Sequence, residues 1–272
     1  MSHDGMIRPR APRGPAPSDR TAAVSRRRFS ALAGGALVSL FAGEACFGSE
    51  TQSDAARISA RYRKAAKTSA SGMRPLQLDP DRDAILAMPS KIPDTPLPLL
   101  VLLHGAGGSA QGILRRLGTA AGDAGVAVLA PDSRDDTWDA IRGGFGPDIR
   151  FVSRALDRVF ESVSVDPARL AIGGFSDGAT YALSVGLTNG DLFRRILAFS
   201  PGFIVGDRLQ GTPTIFVSHG NGDRILPIDR CSRVIVPALK KRGYDVVYRE
   251  FDGGHEVPPQ IARDGMTWVA GA

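Results

Sequence analysis

The chain has 272 residues, 43% hydrophobic and 23% charged, enough to bury a full α/β core and too apolar for disorder throughout. Its two cysteines exclude a disulfide scaffold, and no apolar run approaches the roughly 20 residues that a bilayer-spanning helix needs. The formal net charge of +6 invites a nucleic-acid partner, but seven arginines against three acids in residues 1–48 supply +4 of it. The +2 left over the rest of the chain is not the footprint of a phosphate-binding surface, so no nucleic acid is expected as a partner.

Residues 1–24 are rich in Pro, Ala, Arg and Ser without an apolar period, which reads as a flexible extension. Ser25-Arg26-Arg27-Arg28-Phe29-Ser30-Ala31 then leads into a weakly apolar run from Phe29 to Gly43. This arrangement resembles a twin-arginine export signal, and the run is too short and too glycine-rich for a spanning helix. The expectation for residues 1–48 is therefore an address read by the twin-arginine translocation machinery, with the mature protein periplasmic or secreted. Cleavage after Ala45 leaves Cys46 first, and a lipid on that cysteine is the one route to a membrane. Cys231 then lacks a disulfide partner and is expected as a small buried hydrophobe.

Residues 49–74 carry Arg, Ala and Ser without a sustained apolar face and read as a linker. The catalytic domain is expected over 75–272. Leu97–Leu103 and Gly125–Ala130 are continuous apolar runs ending in turn residues, as strands buried on both faces require. The stretches Ala110–Ala124 and Ile149–Ser162 carry helical spacing between and after them. Further strands are expected at Leu170–Ile172, Ile196–Phe199, Thr214–Ser218 and Asp245–Phe251. This alternation predicts an α/β fold, a mostly parallel central sheet with helices on both faces, and leaves room for only short insertions and no large lid. A site in such a sheet sits beyond the carboxyl ends of the strands.

Gly174-Phe175-Ser176-Asp177-Gly178 follows the Leu170–Ile172 strand and precedes a helical stretch, the context that a G-x-S-x-G nucleophile turn needs. His104-Gly105-Ala106-Gly107-Gly108 closes the strongest strand, where a glycine-rich turn brings backbone amides close to a substrate. The oxyanion donors expected are the amide of Asp177 and that of Ala106 or Gly105, with His104 bracing the turn. A phosphate loop fits poorly because no Lys-Ser/Thr follows the glycines. Of the two histidines after Ser176, His219 ends a strand and His255 lies on a Gly-rich loop. A general base must reach the serine from a loop above the sheet, which favours His255. Asp223 lies in the loop where a carboxylate orienting the imidazole belongs, with Asp252, Glu256 and Asp229 as rivals. Trp138 and Phe145, in a segment following a strand, are candidates for lining a substrate cleft or for packing within a loop. No metal-ligand spacing and no cofactor motif is present in the sequence.

His104-Gly105-Ala106-Gly107-Gly108, Gly174-Phe175-Ser176-Asp177-Gly178, His219-Gly220-x-x-Asp223 running to Pro227, and Gly254-His255 together resemble the α/β-hydrolase superfamily over about residues 75–270. Within it they are similar to the phospholipase/carboxylesterase group and to polyhydroxybutyrate depolymerase-like and feruloyl esterase-like secreted esterases. The resemblance implies hydrolysis of a small or polymeric ester or thioester through an acyl-enzyme, with Ser176 as nucleophile, His255 as base and Asp223 orienting it. The sequence departs from the group at Asp177, where Gln usually follows the nucleophile. A peptidase or amidase with the same three residues, and a binding protein on an inactive hydrolase fold, are the competing readings.

Overall fold

The computed structural model describes residues 55–63, 70–206 and 208–271. The export motif Ser25–Ala31 and Cys46 lie outside the described residues.

Eight strands form one sheet: β1 (Gly72–Pro75), β2 (Ala84–Met88), β3 (Leu97–Leu103), β4 (Ala127–Pro131), β5 (Val165–Phe175), β6 (Arg195–Phe199), β7 (Thr214–Gly220) and β8 (Val246–Phe251). Their spatial order is β1-β2-β4-β3-β5-β6-β7-β8. β3 to β8 pair in parallel, while β1 and β2 join antiparallel at one edge. The expected parallel sheet is present. The antiparallel pair ahead of it went unread, because β1 is four mostly exposed residues ending in Pro75 and carries no apolar pattern.

Alternation along the central strands sends side chains to two cores. Leu99, Val101 and Leu103 of β3 face one, and Leu100 and Leu102 face the other. The first core is covered by α4 (Pro147–Ser162), α5 (Asp177–Thr188) and α6 (Ser232–Lys241), each contributing buried apolar residues to it. The second is covered by α1 (Ala110–Leu117), the short α2 (Ala120–Asp123) and α7 (Pro259–Ala270). The helix expected over Ala110–Ala124 is divided at Gly118, whose φ of 59° ends α1. A further short helix, α3 (Asp139–Arg142), precedes α4.

The segment read as a linker is partly built into the domain. Ala56, Ile58 and Ala60 are buried, and buried Asn189, at the end of α5, accepts a hydrogen bond from the Ile58 amide and donates to the Ala56 carbonyl. Arg57 reaches the Thr188 carbonyl, the Asp191 carboxylate and the Gln210 side chain. The buried residues alternate with polar ones, so this is an extended segment laid on the first core, and β1 completes the departure from a free linker.

Candidate active site

Ser176 occupies the turn between β5 and α5 with φ 58° and ψ −122°, a region costly for a residue with a Cβ. The turn is possible because its flanking residues are glycines. A Cβ on Gly174 would stand 2.3 Å from the Gly178 carbonyl carbon, and one on Gly178 would stand 2.3 Å from the Leu103 oxygen. The Ser176 amide is fixed to the Phe199 carbonyl at 2.9 Å, so the hydroxyl is lifted over the carboxyl ends of β5 and β6.

The loops after β7 and β8 bring the other two residues to it. The amides of Asn221 and Gly222 bond the carbonyls of Phe251 and Gly253, joining the two loops. His255 Nδ1 then lies 2.6 Å from Asp223 Oδ2, and His255 Nε2 lies 2.8 Å from Ser176 Oγ. An ionised carboxylate only accepts, so Nδ1 carries the proton and the bare Nε2 accepts from the serine hydroxyl. Burial raises the Asp223 pKa, but hydrogen bonds from His255 and from the Leu226 and Ile225 amides outweigh it and hold the carboxyl below its usual range. The rivals are elsewhere: Asp252 and Glu256 are exposed, and Asp229 is paired with Arg233 at 2.7 Å.

The glycine-rich turn after β3 approaches the serine directly, a Cβ on Gly105 standing 3.1 Å from Ser176 Cβ. Within that turn the Gly107 amide bonds the Asp136 carbonyl and the Gly108 amide bonds Gly105. The amides of Ala106 and Asp177 have no hydrogen-bond partner among the described residues, which leaves donors for an incoming oxygen. His104 is buried and braces the turn as expected, its Nδ1 on the Gly105 carbonyl at 2.7 Å and its Nε2 accepting from the Ser133 amide. Burial pushes its pKa down, as a neutral ring with these two partners requires.

Trp138 does not line a cleft. It is fully buried, donates to the His104 carbonyl at 2.8 Å and stacks on Tyr181 with centroids 5.2 Å apart. Phe145 is half-buried against the same Tyr181, centroids 5.6 Å apart. Their loop is pinned by two carboxylates: Asp139 accepts from Tyr181 and from the Gly146 and Asp148 amides, and Asp148 from the Arg134 and Asp139 amides.

Several contacts of the site went unread in the sequence. Phe175 packs on the His255 ring, centroids 4.7 Å apart, and the Arg116 guanidinium lies 4.4 Å from the Phe175 ring centroid. Thr137 bonds the Asp177 carboxylate, and His219 contacts Asp223. Only the last had a sequence signal, the spacing His219-Gly220-x-x-Asp223 at a strand end. Cys231 is buried and unpaired, and burial raises its thiol pKa, as a small packing residue requires. Among the described residues no three His, Cys, Asp or Glu side chains are grouped to hold a metal ion.

A mostly parallel sheet with helices on both faces and a serine on a strained strand-to-helix turn define the α/β-hydrolase class. The chain has the α/β-hydrolase fold, and the model of the phospholipase/carboxylesterase family matches residues 135–269. Acyl-protein thioesterase 1 of Gibberella zeae is 31% identical over 105 residues, which are 35% of this chain and 44% of that protein. The chain spans less than half the length of the curated relatives it matches. Among solved structures, the fluorophosphonate-binding serine hydrolase FphF of Staphylococcus aureus aligns with a TM-score of 0.60 at 17% identity, over 74% of this chain and 99% of that one. The Bacillus cereus carboxylesterase aligns with a TM-score of 0.55 at 18% identity, over 71% and 96%. At these identities the structural likeness concerns the fold.

Proposed function

We propose that this protein is an exported serine hydrolase that cleaves carboxylic esters or thioesters through an acyl-enzyme. The observation that carries the reading is the unbroken hydrogen-bond chain from Ser176 Oγ through His255 to Asp223. In the first half-reaction His255 Nε2 takes the Ser176 proton as Oγ attacks the carbonyl carbon, and the imidazolium is stabilised by Asp223 at Nδ1. The oxyanion is received by the Ala106 and Asp177 amides, each such donor being worth about 10²–10³ in rate. The imidazolium then protonates the departing alcohol or thiol. Water repeats the sequence with His255 again as base, and the carboxylic acid leaves.

The esterase family match and the thioesterase relative support the bond type. Export rests on Arg26-Arg27 ahead of the Phe29–Gly43 run. Substrate is a small or polymeric ester, and Cys46 is the site where a lipid would hold the protein at a membrane.

The reading is tested by intact-mass measurement of the protein from residue 49 onward after exposure to a fluorophosphonate. One adduct mapping to Ser176, absent in Ser176→Ala, is the expected result, and folded protein without an adduct overturns it. Ester and amide panels then separate esterase from peptidase. Arg26→Lys with Arg27→Lys is expected to trap the precursor inside the cell, and unchanged export refutes the address.

A further inference from the structure

His219 is the histidine that the proposed mechanism leaves idle, yet its surroundings are built around it. It is fully buried at the end of β7, four residues before Asp223. Its Nδ1 lies 2.7 Å from Ser232 Oγ, and its Nε2 lies 2.8 Å from the Leu226 carbonyl and 3.2 Å from Asp223 Oδ2. A carbonyl oxygen only accepts, so the proton is on Nε2. Nδ1 is then an acceptor, and the Ser232 hydroxyl donates to it. Burial holds the ring below the usual imidazole pKa, which keeps it in this neutral form. Two residues thereby fix one N–H, and that N–H is shared between the 223–226 turn and the Asp223 carboxylate.

The consequence falls on Asp223. Its Oδ1 accepts from the Ile225 and Leu226 amides at 2.9 Å each, and its Oδ2 faces both His255 and His219. The amides fix one oxygen, and without His219 the other is left, among the described residues, with His255 as its side-chain partner. We propose that His219, its tautomer set by the Leu226 carbonyl and its ring anchored by Ser232, is a positioning residue for Asp223, holding Oδ2 in line with His255 Nδ1. This rests on the reading of Ser176, His255 and Asp223 as the reacting triad. It gives the His-Gly-x-x-Asp spacing a physical role, since a strand end and a tight turn place the ring against the carboxylate four residues on.

Loss of the His219 N–H has a defined direction. Asp223 gains basicity when it loses a donor, so it stabilises the His255 imidazolium more strongly and the histidine releases its proton at higher pH. The acid limb of the pH–rate profile therefore moves up, while kcat falls because Oδ2 is free to turn. Other charges near this cluster are already engaged. Glu250, opposite His219 on β8, pairs with Arg233, which also binds Asp229, and the Cys231 thiol is buried with its pKa raised.

The test compares wild type, His219→Leu, His219→Gln and Ser232→Ala, each first shown to be folded by thermal melting. For hydrolysis of p-nitrophenyl acetate, His219→Leu and Ser232→Ala are expected to lose roughly 10- to 100-fold in kcat, with KM nearly unchanged, as a displaced catalytic group does. The acid limb should rise in both. His219→Gln, whose amide N–H replaces the ring N–H, should recover most of the rate and the wild-type limb. If His219→Leu does not fold, Ser232→Ala carries the test by itself. Fluorophosphonate labelling of Ser176 reads the same series without a substrate. No labelling of the wild type sinks the triad reading and this inference with it. Labelling of the wild type, with equal labelling and an unmoved limb in the folded variants, overturns this inference alone.

Discussion

Thr137 donates its hydroxyl to the Asp177 carboxylate at 2.7 Å, tying the residue after the nucleophile to the loop that follows β4. The backbone amide of Asp177 is an oxyanion donor in the proposed mechanism, whereas its carboxylate is a negative charge beside a developing negative charge. The Thr137 bond turns that carboxylate toward the loop and absorbs part of its field. Asp177→Gln is expected to fold and to raise kcat on a neutral ester, because a like charge several ångströms from the oxyanion costs about 1 kcal/mol, roughly fivefold in rate. Thr137→Val should act in the opposite sense by a similar factor. Equal initial rates in all three proteins would show that solvent already screens the carboxylate.

Asn189 predicts how much stability the 55–63 segment contributes. Its side chain is fully buried and makes three bonds, accepting from the Ile58 amide and donating to the Ala56 and Val185 carbonyls. Asn189→Ala strands the buried Ala56 carbonyl and the Ile58 amide, while the Val185 carbonyl keeps the backbone amide of residue 189, so a loss of about 2–4 kcal/mol is expected. Urea unfolding measures it. A chain beginning at residue 70 should lose at least as much, since it also uncovers Ile58. If both proteins unfold at the wild-type midpoint, the segment lies on the domain without stabilising it.

That segment also marks where the sequence stopped being readable. Strands β3 to β7 announce themselves because burial on both faces gives each a continuous apolar run, and β8 by the apolar Val246-Val247-Tyr248 at its start. Ser176 was legible because the two glycines that its turn demands stand two residues either side of it. Asp223 and His255 followed from chain order and from the loops they occupy. Residues 55–63 were missed because alternation over Ala56, Ile58 and Ala60 is short and uses alanine, which carries little hydropathy. Trp138 stayed open between cleft and loop packing for a different reason: its burial is decided by His104 and Tyr181, more than thirty residues away on either side, and no local pattern records that. The bond from His219 to Asp223 is likewise tertiary, although the spacing of the pair was visible.

Asp148 gives the fold a pH dependence of unusual sign for a carboxylate. It is 1% exposed, and burial, aided by the neighbouring Asp139 charge and opposed by the Arg134 and Asp139 amides, pushes its pKa up to about 6 from 3.8. The folded state therefore binds this proton more tightly than the unfolded chain does. The stability it contributes is present below about pH 4 and is lost as pH rises through about 6, a change of about 3 kcal/mol. Many other carboxylates titrate in the opposite sense, so the measurement is a difference. Urea midpoints of wild type and Asp148→Asn, taken from pH 4 to 7, should diverge in wild type's favour toward the acid end. Parallel curves would mean that Asp148 ionises in the folded protein as it does in the unfolded chain.

Phe203 and Ile225 are large apolar side chains left 42% and 69% exposed, on the loops that follow β6 and β7. Phe203 follows Gly202, whose amide is held by Thr180 on the first turn of α5, and the Val205 amide is held by Ser184 one turn further along. Ile225 follows Asp223 by two residues and uses its own amide to bind that carboxylate. The loops after β6 and β7 meet where Leu226 comes within 3.4 Å of a Cβ placed on Gly202. Exposed apolar surface on loops at the carboxyl ends of the strands, the end of the sheet that carries Ser176, predicts that longer acyl chains gain affinity. Covering two of four added methylenes at about 0.8 kcal/mol each amounts to roughly tenfold in KM between acetate and hexanoate esters. Phe203→Ser with Ile225→Ser should abolish that preference while leaving acetate turnover within about twofold, because neither side chain touches the proton-transfer chain. An undiminished preference in the double variant would place the acyl chain on the other side of Ser176, along the half-buried Phe145 and the 133–146 loop.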